Sequence, residues 1–212
     1  MTTKRSLIRR ATAVAAATAA ALVLAACGGN GTNDSGSAHS GGHNASASPS
    51  ASASAPQQGA RNAVDVAFAQ GMIPHHRQAV EMAALASTRA ESAEVKALAD
   101  EIKKAQDPEI KTLSGWLTTW GEQVPAEGGG HSGHGTSGMM TAEEMAGLEK
   151  ASGKAFDTAF LQLMVKHHEG AVAMAKTEQS GGSYQPAKDM AGAIVSSQSA
   201  EITRMNKLLG KG

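Results

Sequence analysis

Two stretches of this chain are copies of each other. Residues 65–83, DVAFAQGMIPHHRQAVEMA, align without a gap on residues 157–175, DTAFLQLMVKHHEGAVAMA, sharing Asp65/Asp157, Phe68/Phe160, Gln70/Gln162, Met72/Met164, His75/His167, His76/His168, Ala79/Ala171, Val80/Val172 and Met82/Met174. The same 92-residue offset continues downstream through Lys96/Lys188, Ala99/Ala191, Ile102/Ile194, Gln106/Gln198, Glu109/Glu201 and Ile110/Ile202, with Leu98/Met190 and Leu113/Met205 as apolar exchanges. A duplicated unit must close its apolar face against its own copy, so the repeat limits the architecture before any single motif is considered.

The unit has the periodicity of a helical hairpin. Leu98, Ile102, Ala105, Glu109 and Leu113 step by three or four, as do Met190, Ile194, Ser197, Glu201 and Met205, placing a stripe on one face of each second helix. Helices are expected near 62–89, 93–120, 155–178 and 186–209, with a short additional one near 142–151. Thr141 and Glu144 have the spacing of a capping box, Gly153 reads as a helix stop, and Asp65 and Asp157 lie early in their helices, where the dipole favours an anion. Pro74 removes a backbone bond and should kink the first helix. No strand pattern competes. Short turns within each repeat make neighbouring helices antiparallel, so the expected fold is all-α, a four-helix bundle built of two duplicated hairpins over residues 61–211, with repeat 1 at 62–120 and repeat 2 at 155–209.

The N-terminus has a different character. Lys4, Arg5, Arg9 and Arg10 precede an apolar stretch, Ala11 to Ala26, too short to span a bilayer, and Leu24-Ala25-Ala26-Cys27 is similar to a bacterial lipobox. Residues 1–27 therefore read as a lipoprotein signal peptide, with Cys27 as the lipidation site and the mature chain anchored on the extracytoplasmic face of the cell membrane. Residues 28–60 are rich in Gly, Ser and Ala, bury too little surface to order themselves, and read as a tether. Cys27 is the single cysteine, which excludes an internal disulfide framework, a Cys-rich zinc module and an iron–sulfur cluster. Nineteen Lys+Arg against 19 Asp+Glu, without a basic stripe, argue against nucleic acid as a partner.

Ten Met and eight His stand beside only three Phe, two Trp and one Tyr, and the repeat concentrates them. At 100° per residue Phe68, Met72, His75, His76, Ala79, Met82 and Ala83 fall within an arc of about 120°, and the second copy repeats this with Phe160, Met164, His167, His168, Ala171, Met174 and Ala175. An imidazole on an apolar stripe is costly unless it is hydrogen-bonded or metal-bound. Adjacent His diverge by 100°, but each pairs with a Met one turn earlier, Met72 with His75 or His76 and Met164 with His167 or His168. Thioether with imidazole selects copper, Cu(I) above all, over cations that prefer carboxylate oxygen. A di-iron bundle would show Glu-x-x-His, and Met stands at the Glu position in both copies. The candidate metal ligands are Met72, His75, His76, Met82, Met164, His167, His168 and Met174; Glu81 and Glu169 lie off the stripe and read as solvated. The competing reading is structural, with His as hydrogen-bonded core residues and Met as core filler. A Gly-rich segment at 126–140 joins the repeats and carries His131, His134, Met139 and Met140, suited either to metal capture or to a plain linker.

MIPHHRQAVEMA and FLQLMVKHHEGAVAMA, with the downstream Gln and Glu-Ile pairs, resemble the bacterial family known as domain of unknown function 305 over residues 62–209. The resemblance implies a ferritin-like four-helix bundle, export and, for some members, periplasmic copper binding, with Met72, His75, His76, Met82, Met164, His167, His168 and Met174 as the matching residues. The leading expectation is a lipid-anchored protein that sequesters copper or passes it to a copper-transfer partner without catalysis. A metal-dependent oxidoreductase is disfavoured by the lack of a Cys ligand and of a carboxylate cluster on the stripe. A non-metal helical interaction module is the third reading.

Overall fold

A computed structural model describes residues 60–127 and 138–211, which form five helices and no strand. They are α1 (Ala63–Arg89), α2 (Ala93–Trp120), α3 (Ala142–Lys150), α4 (Gly153–Gly181) and α5 (Gln185–Leu208). Cys27, His131 and His134 lie outside the described residues, as do the signal-peptide and tether readings. None of the helices is long and apolar enough to cross a membrane.

Local chemistry sets the helix ends. Asn62 caps α1 in a capping box with Asp65, Ser92 caps α2, and Thr141 caps α3 in the expected box with Glu144. Gly153 does not serve as the stop of α3: Ala151 is that helix's C-terminal cap, and Gly153, at φ +60°, is the first residue of α4. α1 runs from Ala63 to Arg89 with Pro74 inside it.

α1 packs along α2, α4 packs along α5, and α1 packs on α4, so the two hairpins meet through their first helices. Reciprocal hydrogen bonds fix the direction of that meeting. Asp65, near the start of α1, accepts from the backbone N–H groups of Ser183 and Tyr184 in the α4–α5 turn, at 3.0 and 2.9 Å. Asp157, near the start of α4, accepts from Glu91 and Ser92 in the α1–α2 turn, at 3.1 and 2.9 Å. Each hairpin thus holds the turn of the other, α1 and α4 are antiparallel, and the repeat is expressed as an approximate twofold axis.

Two apolar clusters lie on either side of that axis. One gathers Met82, Leu98, Ile102, Met140, Met145, Leu148, Phe156, Phe160, Met164 and Met205; the other gathers Phe68, Met72, Ile73, Leu113, Leu117, Trp120, Ala171 and Ile194. The expected stripe on the second helices is corrected at one position per copy. Ala105 and Ser197 are exposed, and Gln106 and Gln198, one residue on, are buried. A straight α-helix at 3.6 residues per turn carries a 3-4-3-4 stripe gradually off its face, and over this length the step of four from Ile102 and Ile194 keeps the side chain inward.

Candidate metal centre at the crossing of the repeats

Seven of the eight ligands expected from the sequence stripe are fully buried: Met72, His75, His76, Met82, Met164, His167 and His168 each show 0% exposure. Met174 is half-buried against the cluster that contains Met72. Met140 is buried beside Met82 and Met164, and Met139 is half-buried. The crossing of α1 and α4 brings the inner His of each copy together, with the rings of His75 and His167 3.8 Å apart between centroids and tilted by 46°. Adjacent His167 and His168 diverge as helix geometry requires, with centroids 6.4 Å apart.

The outer His turn away from the axis toward the second helix of their own hairpin. His76 Nε2 lies 2.7 Å from Glu109 Oε2, and His168 Nε2 lies 2.6 Å from Glu201 Oε2. The sequence reading found no carboxylate cluster on the His/Met stripe; the structure sets two single carboxylates against it from the second helices, one per copy, each bound to one His. The signal was present in the sequence, since Glu109 and Glu201 sit on the stripe at equivalent places, each 33 residues beyond its His. Because a carboxylate accepts the Nε2 proton, Nδ1 is the nitrogen left to bind a metal. In both rings Nδ1 is buried and meets no hydrogen-bond partner among the described residues. A carboxylate behind an imidazole is the usual support of a metal-bound His, fixing both tautomer and ring orientation.

His167 is the most exposed to the cost of burial. Neither of its ring nitrogens meets a partner among the described residues. Burial, followed by the nearby His75, His168 and His76, holds its pKa well below the ordinary value, so it is a neutral imidazole with a lone pair available at neutral pH. Buried polar nitrogens without partners are rare in proteins, and here they gather at one crossing.

No three His, Cys, Asp or Glu side chains among the described residues stand together as a metal-holding group. The thioethers of Met72 and Met164 lie on the same helix faces as the imidazoles, one turn before them. Above this crossing the linker returns to the helices. Gly138, at φ +89°, lies so close to α4 that a Cβ would meet the carbonyl of Lys166 at 2.8 Å and that of His167 at 3.0 Å. Gln78, buried, accepts from Met140 N at 2.7 Å and donates to its carbonyl at 3.0 Å. Gln78 and Gly170 occupy equivalent positions in the two copies, and the linker sits where they differ.

Comparison with known proteins follows the same boundaries. The family described as "Domain of unknown function (DUF305)" matches residues 65–209. A DUF305 protein of Streptomyces coelicolor, assigned as secreted, is 35% identical with a TM-score of 0.63, covering 70% of this chain and 91% of its own. CopM in its Cu(II)-bound form is 36% identical with a TM-score of 0.60, covering 68% of this chain and 94% of its own, and it is also solved with Cu(I) and with Ag. A DUF305 fragment from Deinococcus radiodurans is 30% identical with a TM-score of 0.63, covering 71% of this chain and 98% of its own. No curated protein matches the chain.

Proposed function

The chain belongs to the DUF305 family, and from that premise we propose that it binds copper as cargo at the α1–α4 crossing, sequestering it or handing it on outside the cell membrane. The observation that carries the reading is the buried imidazole pair, His75 against His167 at 3.8 Å, with His167 lacking a partner at either nitrogen among the described residues. Around it stand the buried Nδ1 atoms of His76 and His168, each backed by a glutamate, and the thioethers of Met72, Met82, Met164 and, at the margin, Met174. Neutral nitrogen with soft sulfur in an apolar interior favours copper over hard cations. CopM, similar over most of its length, is solved with Cu(I), Cu(II) and Ag, which supports the same class of ion here.

The finer architecture belongs to the same proposal: the four long helices form a ferritin-like four-helix bundle over 61–211, with two repeats joined by a His/Met/Gly-rich loop at 126–140. So does its place in the cell. Residues 1–27 direct export, Cys27 carries the lipid, 28–60 tether the helical domain, and His131, His134, Met139 and Met140 offer a capture segment beside the core. The partner is a copper-transfer protein, and no turnover is involved.

Competition titration of the purified chain with Cu(I) against a chromophoric chelator tests the site, beside a His75→Ala/His76→Ala/His167→Ala/His168→Ala variant whose helicity is checked by circular dichroism. Tight binding by the parent and its loss in the folded variant is the expected result. Equal affinity in the two proteins would remove the site from the crossing.

A further inference from the structure

The two sides of the twofold axis are unequal in sulfur. The cluster around Met82 and Met164 also holds Met140, Met145 and Met205, all at most 8% exposed, whereas the other cluster holds only Met72 fully buried. Position 205 corresponds to Leu113 in the first repeat, and Met140 and Met145 come from the linker and α3, which have no counterpart among the described residues. The leucine shows that an aliphatic side chain closes the equivalent core position, so packing alone does not call for thioether there.

Four observed contacts set the level of these residues. The His75–His167 pair puts Gln78, three residues on along α1, opposite Met164, three residues back along antiparallel α4. The His168–Glu201 bond at 2.6 Å likewise puts Met205, one turn on along α5, opposite Met164, one turn back along α4. Gln78 holds Met140 at that same level through bonds of 2.7 and 3.0 Å. Met145 lies beside it, since its neighbour Glu144 pairs with Lys166 of α4 at 2.8 Å.

We propose that Met140, Met164 and Met205 form a second, thioether-only site for a soft monovalent ion, Cu(I) or Ag(I), one turn from His168 and present on one side of the axis only. The proposal rests on the copper reading and deepens it, giving the cargo a holding place beside the imidazole crossing. Three neutral sulfurs in an apolar interior suit a low-charge, polarisable ion, beside a first such ion at the His. Met164 is shared between the two environments, so an ion can pass between them with one ligand kept.

Ag(I), which does not change oxidation state, is the probe. Native mass spectrometry and competition titration compare the parent, a Met140→Leu/Met205→Leu variant, the four-His→Ala variant and the combination. Leu conserves volume closely enough to keep the core. The thioether site predicts that Met140→Leu/Met205→Leu binds one ion fewer than the parent, and that the four-His variant still binds one ion, with affinity falling at least tenfold in the combination. Parent stoichiometry and affinity in Met140→Leu/Met205→Leu would overturn the second site and leave the His reading standing. Parent stoichiometry in the four-His variant would instead remove the His reading. Should the Met variant unfold, the methyl resonances of 13C-methionine in the parent decide: Met140, Met164 and Met205 shift together at one ion equivalent, and unmoved Met140 and Met205 resonances overturn the site.

Discussion

Glu109 and Glu201 matter because they settle which nitrogen of His76 and His168 faces the interior. Replacing Glu201 with Gln keeps the volume but lets the amide donate to Nε2, which then favours the proton on Nδ1. Copper affinity measured by chelator competition is expected to fall about 10- to 100-fold, with helicity unchanged. A further carboxylate has no copy: Glu178 is fully buried where the first repeat has Ala86, and it faces Asp65. Burial first, then the neighbouring Asp65 carboxyl, raise the Glu178 pKa to about 8, while for Asp65 the upward push of burial is outweighed by the backbone donors of Asn62, Tyr184 and Ser183 and by the neighbouring Glu178, so its pKa is lowered. The folded state therefore holds a proton on Glu178 that the unfolded chain loses near its ordinary pKa. Its contribution is complete below about pH 4.5 and is lost as pH rises toward about 8, whereas the Asp65 contribution is lost in acid. Gln mimics the protonated acid, so the melting temperature of Glu178→Gln should stay level between pH 6 and pH 8 while the parent falls. Parallel curves would show that Glu178 ionises normally. The pair also explains Gly182, where any Cβ would collide with the Glu178 carboxyl and approach Asp65 Oδ1 at 2.8 Å.

At the scale of elements, the repeat reads clearly in sequence but its mode of closure does not. Asp65 and Asp157 are legible as helix-start anions, and each does more than serve its own helix: it satisfies the turn of the opposite hairpin. Asp157→Ala leaves the N–H groups of Glu91 and Ser92 without their acceptor and should cost about 1–3 kcal/mol of stability, read from the denaturant midpoint at unchanged m-value. A loss no larger than that of an exposed Asp, such as Asp100→Ala, would deny Asp157 this role. Helix positions were legible because periodicity and caps are local. The inward turn of Gln106 and Gln198 was not, because an Ala or Ser and a Gln are equally admissible next to a stripe until a neighbouring helix is packed on it.

For the molecule as a whole, the copper reading makes folding and binding one equilibrium. An ion held only by the folded chain, at a free concentration 100 times its dissociation constant, adds about 2.7 kcal/mol, which raises the melting temperature by roughly 5–10 °C for a domain of this size. Differential scanning calorimetry under reducing conditions with Cu(I) is expected to show that rise in the parent and to lose most of it in the four-His variant; an equal rise in both would place the ion elsewhere. The unequal distribution of buried Met between the two clusters is likewise a property of the whole chain, arising from a linker seated on Gln78 and Gly170, from α3, and from Met205 at the place of Leu113.

The duplication, the helical hairpins and the His/Met faces are legible in the chain alone, because periodicity, caps and a fixed offset are written in neighbouring residues. Tertiary structure alone decided the partners. The rings of His75 and His167 are 92 residues apart in the chain, Glu178 meets Asp65 across the hairpins, and Met140 joins Met164 and Met205 only once the linker is seated. Direction and register between packed helices are set by summed contacts along their whole length, and no local pattern contains that sum.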